Sequence, residues 1–221
     1  MPKVLNFKQE LVACFGQPVS ENPTQAMVEA AFRHHGLDWR YLTIEVAPAD
    51  LPAAVAGARA MGFRGFNCTI PHKLAVIPHL DGLGDSAALM GAVNCVVARD
   101  GKLIGENTDG KGFVAGVRRL TDPAGKAMVL MGAGGAARAI AVEMALVGVR
   151  HVTVVSRDAA QGRALAELLD AKTGASVTHA RWSGDYAVPA GADIVVNATQ
   201  VGLWPDVDAR LALDVTTLAP A

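Results

Sequence analysis

The chain has 221 residues, of which 51% are hydrophobic and 19% charged, and its formal net charge is -1. This composition is typical of a globular α/β protein with one or two domains and excludes a largely disordered chain. The near-neutral charge offers no electrostatic footprint for nucleic acid or an anionic membrane. The expected partner is therefore a small molecule, and the expected assembly is a monomer or a homodimer.

The first half of the chain alternates strand-like and helix-like segments. Its predicted elements are strands at 11–15, 41–46 and 65–69, helices at 24–35 and 49–61, a hairpin formed by 92–97 and 102–105, and a helix at 110–120. Thr24 is predicted to cap the first helix, and Pro48 to open the second. Strands separated by helices predict βαβ units and a largely parallel sheet.

A turn-rich segment at 121–125 separates this region from a second alternating one. The continuous apolar run at 127–131 is typical of a central parallel strand, buried on both faces. Helical patterns around 136–145 and 164–169 alternate with further strands at 151–155 and 193–196. The sequence therefore predicts an α/β fold with two domains, 1–110 and 111–221, the second a Rossmann-type doubly wound domain.

Neither export nor a metal site is predicted. Charged residues interrupt any apolar signal sequence among the first fifteen residues. The cysteines Cys14, Cys68 and Cys95 are odd in number and widely spaced, which indicates reduced thiols rather than disulfides or metal ligands. The most apolar stretch, 127–149, contains an arginine, a glutamate and a glycine cluster, so it is not predicted to span a membrane. These features favour a cytoplasmic protein without a metal.

A glycine cluster lies between the first strand and the first helix of the second domain. Its members are Gly132, Ala133, Gly134, Gly135 and Ala136. Small residues let a pyrophosphate approach the amides at a helix N-terminus, where the helix dipole favours negative charge. Strand, loop, helix and second strand follow in order, so the pattern predicts dinucleotide binding. The alternative is a glycine-rich turn that only lets the strand and the helix pack.

The second strand of this domain ends in Ser156, Arg157 and Asp158, where the adenosine ribose of a dinucleotide would lie. A carboxylate there binds a ribose 2′-hydroxyl, whereas an arginine accommodates a 2′-phosphate. Ser156 and Arg157 are therefore predicted to bind NADP, while Asp158 leaves NAD possible. The interpretation favoured for Asp158 is the N-cap of the helix that follows.

Three segments of the first domain carry a family resemblance. Asn67–Lys73, Gly91–Asn94 and Gly105–Gly110 resemble the signatures Asn-Val-Thr-x-Pro-x-Lys, Gly-Ala-Val-Asn-Thr and Asn-Thr-Asp-Gly of the shikimate dehydrogenase family. The resemblance extends through the glycine loop to Asn197 and Thr199, which would line the nicotinamide end of the cofactor site. It therefore covers nearly the whole chain.

The resemblance implies an NADP-dependent enzyme that reversibly reduces 3-dehydroshikimate to shikimate in aromatic amino-acid biosynthesis. Lys73 and Asp109 would form the catalytic pair, and Thr69 and Asn94 would contact substrate hydroxyls. An ammonium group can protonate the alkoxide that hydride delivery generates, with a carboxylate holding the ammonium in place. Taken singly, the lysine could be a solvated charge at a helix start, and the aspartate a helix cap.

Two departures from the family pattern bear on the substrate and on the extent of the chain. The family reads Gly-x-Pro-x-x-His-Ser-x-Ser-Pro near its N-terminus, and here Asn22 and Thr24 stand where serines would bind the substrate carboxylate. We expect weaker or shifted recognition, unless these residues only cap a turn and a helix. The family also continues beyond the segment equivalent to 200–203 with a further strand and helices, so an incomplete chain is expected.

Three further functions remain as alternatives at this point. The chain could be a family member that acts on quinate or another cyclic hydroxy acid. It could be a ligand-sensing homologue without catalysis, although binding alone would not require both Lys73 and Asp109. It could also use the same Rossmann loop for an unrelated substrate.

Overall fold

The computed structural model describes residues 7–203 and 206–218. The chain forms two compact units, of which the first ends at Thr108 and the second begins at Asp109. The division thus falls just before the predicted boundary at 110. The turn-rich segment 121–125 lies within the second unit, because the helix that precedes it already belongs there.

A six-stranded mixed sheet organises the first unit. Its elements are β1 (Glu10–Gly16), α1 (Thr24–His34), β2 (Trp39–Glu45), α2 (Leu51–Ala60), β3 (Gly65–Cys68), α3 (His72–Ala75), β4 (Gly82–Leu83), α4 (Asp85–Met90), β5 (Cys95–Arg99) and β6 (Lys102–Glu106). Short 3-10 turns occupy Pro48–Asp50 and Ile77–His79. The strand order is β2-β1-β3-β5-β6-β4. Strand β1 pairs in parallel with β2 and β3, and β5 and β6 form the predicted antiparallel hairpin.

Alternation along β1 separates two clusters of buried side chains. Ala13 and Phe15 belong to the main core with α2, and the Phe15 ring stacks on Phe66 of β3 with 4.7 Å between ring centroids. Cys14 belongs to a smaller cluster with Tyr41, against which Phe32 of α1 packs. This period-two pattern is what a strand covered on both faces requires.

The predicted capping role of Thr24 is wrong. Pro23 occupies the N-cap position of α1 and Thr24 is the first helical residue. Asn22 supplies the acceptor instead, because its Oδ1 lies 3.0 Å from the Thr24 amide nitrogen. An asparagine side chain bonded to the amide two residues on is a common way to begin a helix after a turn.

The second unit contains a fully parallel four-stranded sheet. Its elements are α5 (Asp109–Val117), β7 (Ala127–Met131), α6 (Gly135–Leu146), β8 (His151–Ser156), α7 (Ala159–Lys172), β9 (Ser176–Arg181), β10 (Tyr186–Ala187), β11 (Ile194–Asn197), β12 (Leu213–Asp214) and a 3-10 turn at Val215–Thr217. The main sheet has the order β11-β7-β8-β9, while β10 pairs with β12. All five residues of β7 are buried, as predicted for a central strand.

The sheet order places a topological switch point beside β7. The chain moves from β7 to β8 on one side, and it returns with β11 on the other side. In parallel α/β sheets, ligands bind at the carboxyl ends of strands at such a point. The loops after β7 and β11 are therefore the expected place for a cofactor.

The three cysteines are free, as predicted. Cys14 and Cys68 are buried and Cys95 is half-buried. Burial raises the pKa of the Cys68 thiol to about 12, and it also raises the pKa values of Cys14 and Cys95. The thiols therefore stay protonated near neutral pH, which lowers their reactivity. Among the described residues, no helix is long and apolar enough to cross a membrane.

Candidate substrate and cofactor sites

Lys73 lies on the short helix α3, directly after the loop that follows β3. Its neighbour His72 is fully buried, with Nε2 2.8 Å from the carbonyl oxygen of Val46. Because a carbonyl can only accept, the ring donates this hydrogen bond through Nε2. The carbonyl oxygen of Lys73 accepts a hydrogen bond of 2.7 Å from the Val93 amide. Contacts on both sides thus fix the backbone that carries the half-buried lysine.

Thr69, predicted to bind a substrate hydroxyl, lies where the ends of β1 and β3 meet. Its amide donates a 3.0 Å hydrogen bond to the carbonyl oxygen of Phe15. Gly16 makes this approach possible, since a Cβ atom there would overlap the Thr69 side chain. The threonine therefore lies at the carboxyl edge of the parallel part of the sheet. Its side chain is half-buried, and its backbone is held by the hydrogen bond to Phe15.

The predicted substrate residue Asn94 is held by Thr108. Its Nδ2 donates to Thr108 Oγ1 at 3.0 Å, and its Oδ1 accepts from the Thr108 amide at 2.8 Å. Nearby, Asn107 is buried and donates from Nδ2 to the carbonyl oxygen of Ala92 at 3.1 Å. The predicted catalytic residue Asp109 follows Thr108 directly; it is exposed and begins α5. The two asparagines thus order the segment that leads to the aspartate.

Sequence reasoning missed a side-chain link between β2 and β3, the two strands that flank β1 in the sheet. The Tyr41 hydroxyl donates to Asn67 Oδ1 at 2.8 Å, and Asn67 Nδ2 donates to the carbonyl oxygen of Asn94 at 3.2 Å. Burial raises the pKa of Tyr41 above its ordinary value, so its hydroxyl remains a neutral donor. Asn67 stands in a recognised signature and could have been included. Nothing in the sequence pairs it with Tyr41.

Asn22 and Thr24 are brought together, but they bond to each other. Thr24 Oγ1 lies 2.5 Å from Asn22 Oδ1, and since an amide oxygen only accepts, the hydroxyl proton points to Asn22. Asn22 Nδ2 lies 3.7 Å from the sulfur of Cys14. In this arrangement the hydroxyl proton of Thr24 is already used. The pair therefore offers fewer donors to a carboxylate than two serine hydroxyls would.

The glycine loop follows β7 and meets the loop after β11. Gly132 has a φ of 116°, in the region that favours glycine, and its amide donates to the carbonyl oxygen of Val155 at 2.8 Å. A Cβ atom at Gly132 would lie 2.8 Å from the carbonyl oxygen of Ala198. The glycine is thus required for the close approach of these two loops.

The N-terminus of α6 fits a pyrophosphate group. Gly134 is its N-cap, and no side chain caps the helix. Gly134, Gly135 and Ala136 are exposed, Ala133 is half-buried, and a Cβ atom at either glycine would meet open space. Amides of the first turn are therefore accessible to an anion. The third small residue of the fingerprint, Ala137, lies on the fully buried side of α6, where its small side chain allows close packing.

The residues predicted for the adenosine ribose take different positions at the end of β8. Arg157 is exposed, whereas Ser156 is buried. Asp158 Oδ1 accepts hydrogen bonds from the amides of Ala160 at 2.8 Å and Gln161 at 3.1 Å. The prediction that Asp158 is the N-cap of α7 is therefore confirmed.

Asn197 and Thr199 form a turn at the end of β11. Asn197 Oδ1 accepts from the Thr199 amide at 3.0 Å and from its hydroxyl at 2.7 Å, and Asn197 Nδ2 donates to the carbonyl oxygen of Val201 at 3.0 Å. Asn197 is paired in register with Met131, the last residue of β7. The turn therefore lies beside the glycine loop, within the same unit.

Comparison with known proteins identifies the family of the chain. Residues 14–96 match the model of the shikimate dehydrogenase substrate binding domain. The shikimate dehydrogenase (NADP(+)) of Desulforamulus reducens is 40% identical over 211 residues, which cover 92% of this chain and 72% of that protein.

Two solved structures are also similar. The ligand-free 5-ketofructose reductase of Gluconobacter sp. strain CHM43 is 50% identical with a TM-score of 0.95, covering 97% of this chain and 77% of that one. Shikimate 5-dehydrogenase of Listeria monocytogenes, in complex with shikimate and NAD, is 32% identical with a TM-score of 0.90, covering 100% and 78%. On these matches, the chain belongs to the shikimate dehydrogenase family.

Proposed function

We propose that this protein is an NADP-dependent dehydrogenase that interconverts a ketone and a secondary alcohol on a small polyhydroxylated substrate. The observation that carries the proposal is the open, uncapped N-terminus of α6 at the switch point of a parallel sheet. The same chain also contains the segment Asn67–Lys73, which resembles a signature of the shikimate dehydrogenase family. Gly132–Ala136, Arg157 and the turn at Asn197–Thr199 would hold the cofactor.

Lys73 would supply the acid-base chemistry. When bound, NADPH supplies a hydride to the carbonyl carbon of the substrate. Negative charge then develops on the carbonyl oxygen, and the Lys73 ammonium donates a proton to it. In the reverse direction the neutral amine accepts that proton. We assign Asp109 the role of stabilising the charged lysine, and Thr69 and Asn94 the role of contacting substrate hydroxyls.

The first candidate substrate pair is 3-dehydroshikimate and shikimate. It follows from the family and from the relative in Desulforamulus reducens, which is named a shikimate dehydrogenase (NADP(+)). The enzyme would then act in aromatic amino-acid biosynthesis. The shikimate-bound relative from Listeria monocytogenes supports the same reaction for this fold.

A second candidate is the reduction of 5-ketofructose. Two observations favour it: the 50% identity with the Gluconobacter reductase, and the mutual hydrogen bonds of Asn22 and Thr24. A carboxylate needs several donors to replace its hydration, whereas a neutral sugar does not. The internally bonded pair is better suited to a neutral substrate. Quinate, as a carboxylate, shares the difficulty of shikimate.

Steady-state kinetics separate these candidates. NADPH oxidation, followed by its near-ultraviolet absorbance, is measured with 3-dehydroshikimate, 3-dehydroquinate and 5-ketofructose, and then with NADH. We expect turnover with NADPH and with one ketone at a kcat/KM well above the others. The Lys73→Ala protein is the matched control for chemistry. Tight binding of NADPH without turnover of any ketone would instead indicate a ligand sensor.

We also propose that the enzyme acts in the cytoplasm as a monomer or a homodimer. The absence of a disulfide among the three cysteines, all of which are described, supports a reducing compartment. Light scattering of the purified protein would give the assembly, and a higher oligomer would contradict this part of the proposal.

A further inference from the structure

His179 of β9 lies next to the turn that carries Arg157. Its Nε2 is 3.0 Å from the hydroxyl oxygen of Ser156, the last residue of β8. The same hydroxyl donates a 2.7 Å hydrogen bond to the carbonyl oxygen of Asp158. This hydrogen bond thus joins Ser156, the residue before Arg157, to Asp158, the residue after it.

The donor in each of these hydrogen bonds follows from the protons that the groups carry. A carbonyl oxygen has no proton, so the single proton of the Ser156 hydroxyl lies on the bond to Asp158. His179 must therefore donate from Nε2 to the serine oxygen. The carbonyl oxygen of Asp158 also accepts the Gly162 amide at 3.0 Å, which ties the turn to the start of α7.

Helix α7 leaves room for this contact at Gly162. Gly162 of α7 is buried, and a Cβ atom there would overlap both the Ser156 hydroxyl oxygen and Nε2 of His179. Any other residue would push the ring and the hydroxyl apart or move the helix. The glycine, the histidine and the serine form one arrangement beneath the turn.

We propose that His179 is a positioning residue for NADP recognition, acting through Ser156 on the backbone that carries Arg157. Arg157 is exposed, and the residues before and after it, Ser156 and Asp158, are joined by a hydrogen bond that His179 supports. These bonds fix the position of the Arg157 backbone. Ser156 itself is 3% exposed, which makes it a support of the turn. The inference rests on the proposed function, because it needs Arg157 to meet the 2′-phosphate of NADP.

Calorimetric titration with NADP+ and NAD+ tests the proposal on the full chain. In His179→Ala, we expect the Kd for NADP+ to rise about two- to tenfold, the range that loss of one neutral hydrogen bond gives. The Kd for NAD+ should change much less, because NAD+ has no 2′-phosphate. His179→Gln, which keeps an N–H donor, should restore part of the NADP+ affinity.

His151→Ala is the matched control. That histidine lies on β8, with its ring 3.2 Å from Ser176 Oγ and 3.2 Å from Thr178 Oγ1 of β9, so it joins the same two strands away from the turn. It should leave both Kd values unchanged. A second variant, Gly162→Ala, separates the ring from the hydroxyl while retaining both, and should reproduce the NADP+ effect.

The measured Kd values either support or overturn the role of His179. An unchanged NADP+ Kd in His179→Ala, or equal losses for NADP+ and NAD+ that His179→Gln does not repair, would overturn the inference. Failure of the cofactor assignment itself would be visible in the unmodified protein, as a preference for NAD+. The unmodified and variant proteins therefore distinguish the two failures.

Discussion

The two units build their candidate sites from different parts of the polypeptide. In the first unit the candidate site is supported by side chains that bond to each other, as in the Asn94–Thr108 and Tyr41–Asn67 pairs, of which Asn94 and Tyr41 are buried. In the second unit the glycine loop presents exposed backbone at the start of α6, with open space where side chains would be.

This difference follows from what each ligand requires. A pyrophosphate is the same in every dinucleotide, so unobstructed amides and a helix dipole are sufficient. A particular ring or sugar is distinguished by the placement of donors and acceptors, which needs ordered side chains. Substitutions in the first unit should therefore change which substrate is used, whereas those in the glycine loop should weaken the binding of either cofactor.

The largest expected effect is at Lys73. Lys73→Ala should lower kcat about 10²- to 10⁴-fold, because a general acid-base group contributes that much. NADP+ binding should remain, since Lys73 is not among the residues assigned to hold the cofactor. Lys102→Ala, an exposed lysine on β6, is the control and should be nearly silent. A loss near twofold for Lys73→Ala in folded protein would contradict the assignment.

The next largest effect is at the glycine loop. Gly134→Val should weaken NADP+ binding about ten- to a hundredfold, because the side chain would stand where charged groups meet backbone amides. Its melting temperature should change little, since a Cβ atom there meets open space. Gly174→Val, also at an open exposed position but after α7, controls for the substitution. Unimpaired cofactor binding in Gly134→Val would exclude this loop as the pyrophosphate site.

A smaller and selective effect is expected at Arg157. Removing it should raise the KM for NADPH about tenfold, because one charge-assisted hydrogen bond to the 2′-phosphate is lost, and should leave the KM for NADH nearly unchanged. Arg163→Ala, another exposed arginine near the start of α7, is the control. Equal changes for both cofactors would mean that Arg157 does not read the 2′-phosphate.

The smallest effect is expected at Asn22 and Thr24. Replacing both by serine should free hydroxyl donors and lower the KM for 3-dehydroshikimate about two- to tenfold. The KM for 5-ketofructose should stay the same or rise. Thr178→Ser, an exposed position of β9, is the control. Unchanged kinetics together with a lower melting temperature would mean that the pair only stabilises the start of α1, through the hydrogen bonds that Thr24 donates to Asn22.

Sequence patterns predicted the elements that depend on local order. The buried strand β7, the glycine loop and the Asp158 cap could be predicted because periodicity, small residues and capping chemistry act within a few residues. The role of Thr24 was missed, since an asparagine two residues before it competes for the same helix start.

Contacts between strands could not be predicted in the same way. The Tyr41–Asn67 and Ser156–His179 pairs join residues 26 and 23 positions apart. They depend on the order of the strands in the sheet and on how the strands are aligned, and a single sequence does not specify either. The side chains that support a site are therefore harder to find than those in its signatures.

The central claim is that the first unit determines the substrate and the second determines the cofactor. Its most direct test is kcat/KM for two ketones, 3-dehydroshikimate and 5-ketofructose, with NADPH and NADH, in four proteins: unmodified, Asn22→Ser/Thr24→Ser, Arg157→Ala, and all three changes combined. We predict that the serine changes alter only the ratio between ketones and that Arg157→Ala alters only the ratio between cofactors. The free-energy changes should add in the combined protein. A cofactor ratio that moves with the serine changes, or a ketone ratio that moves with Arg157→Ala, would contradict the claim.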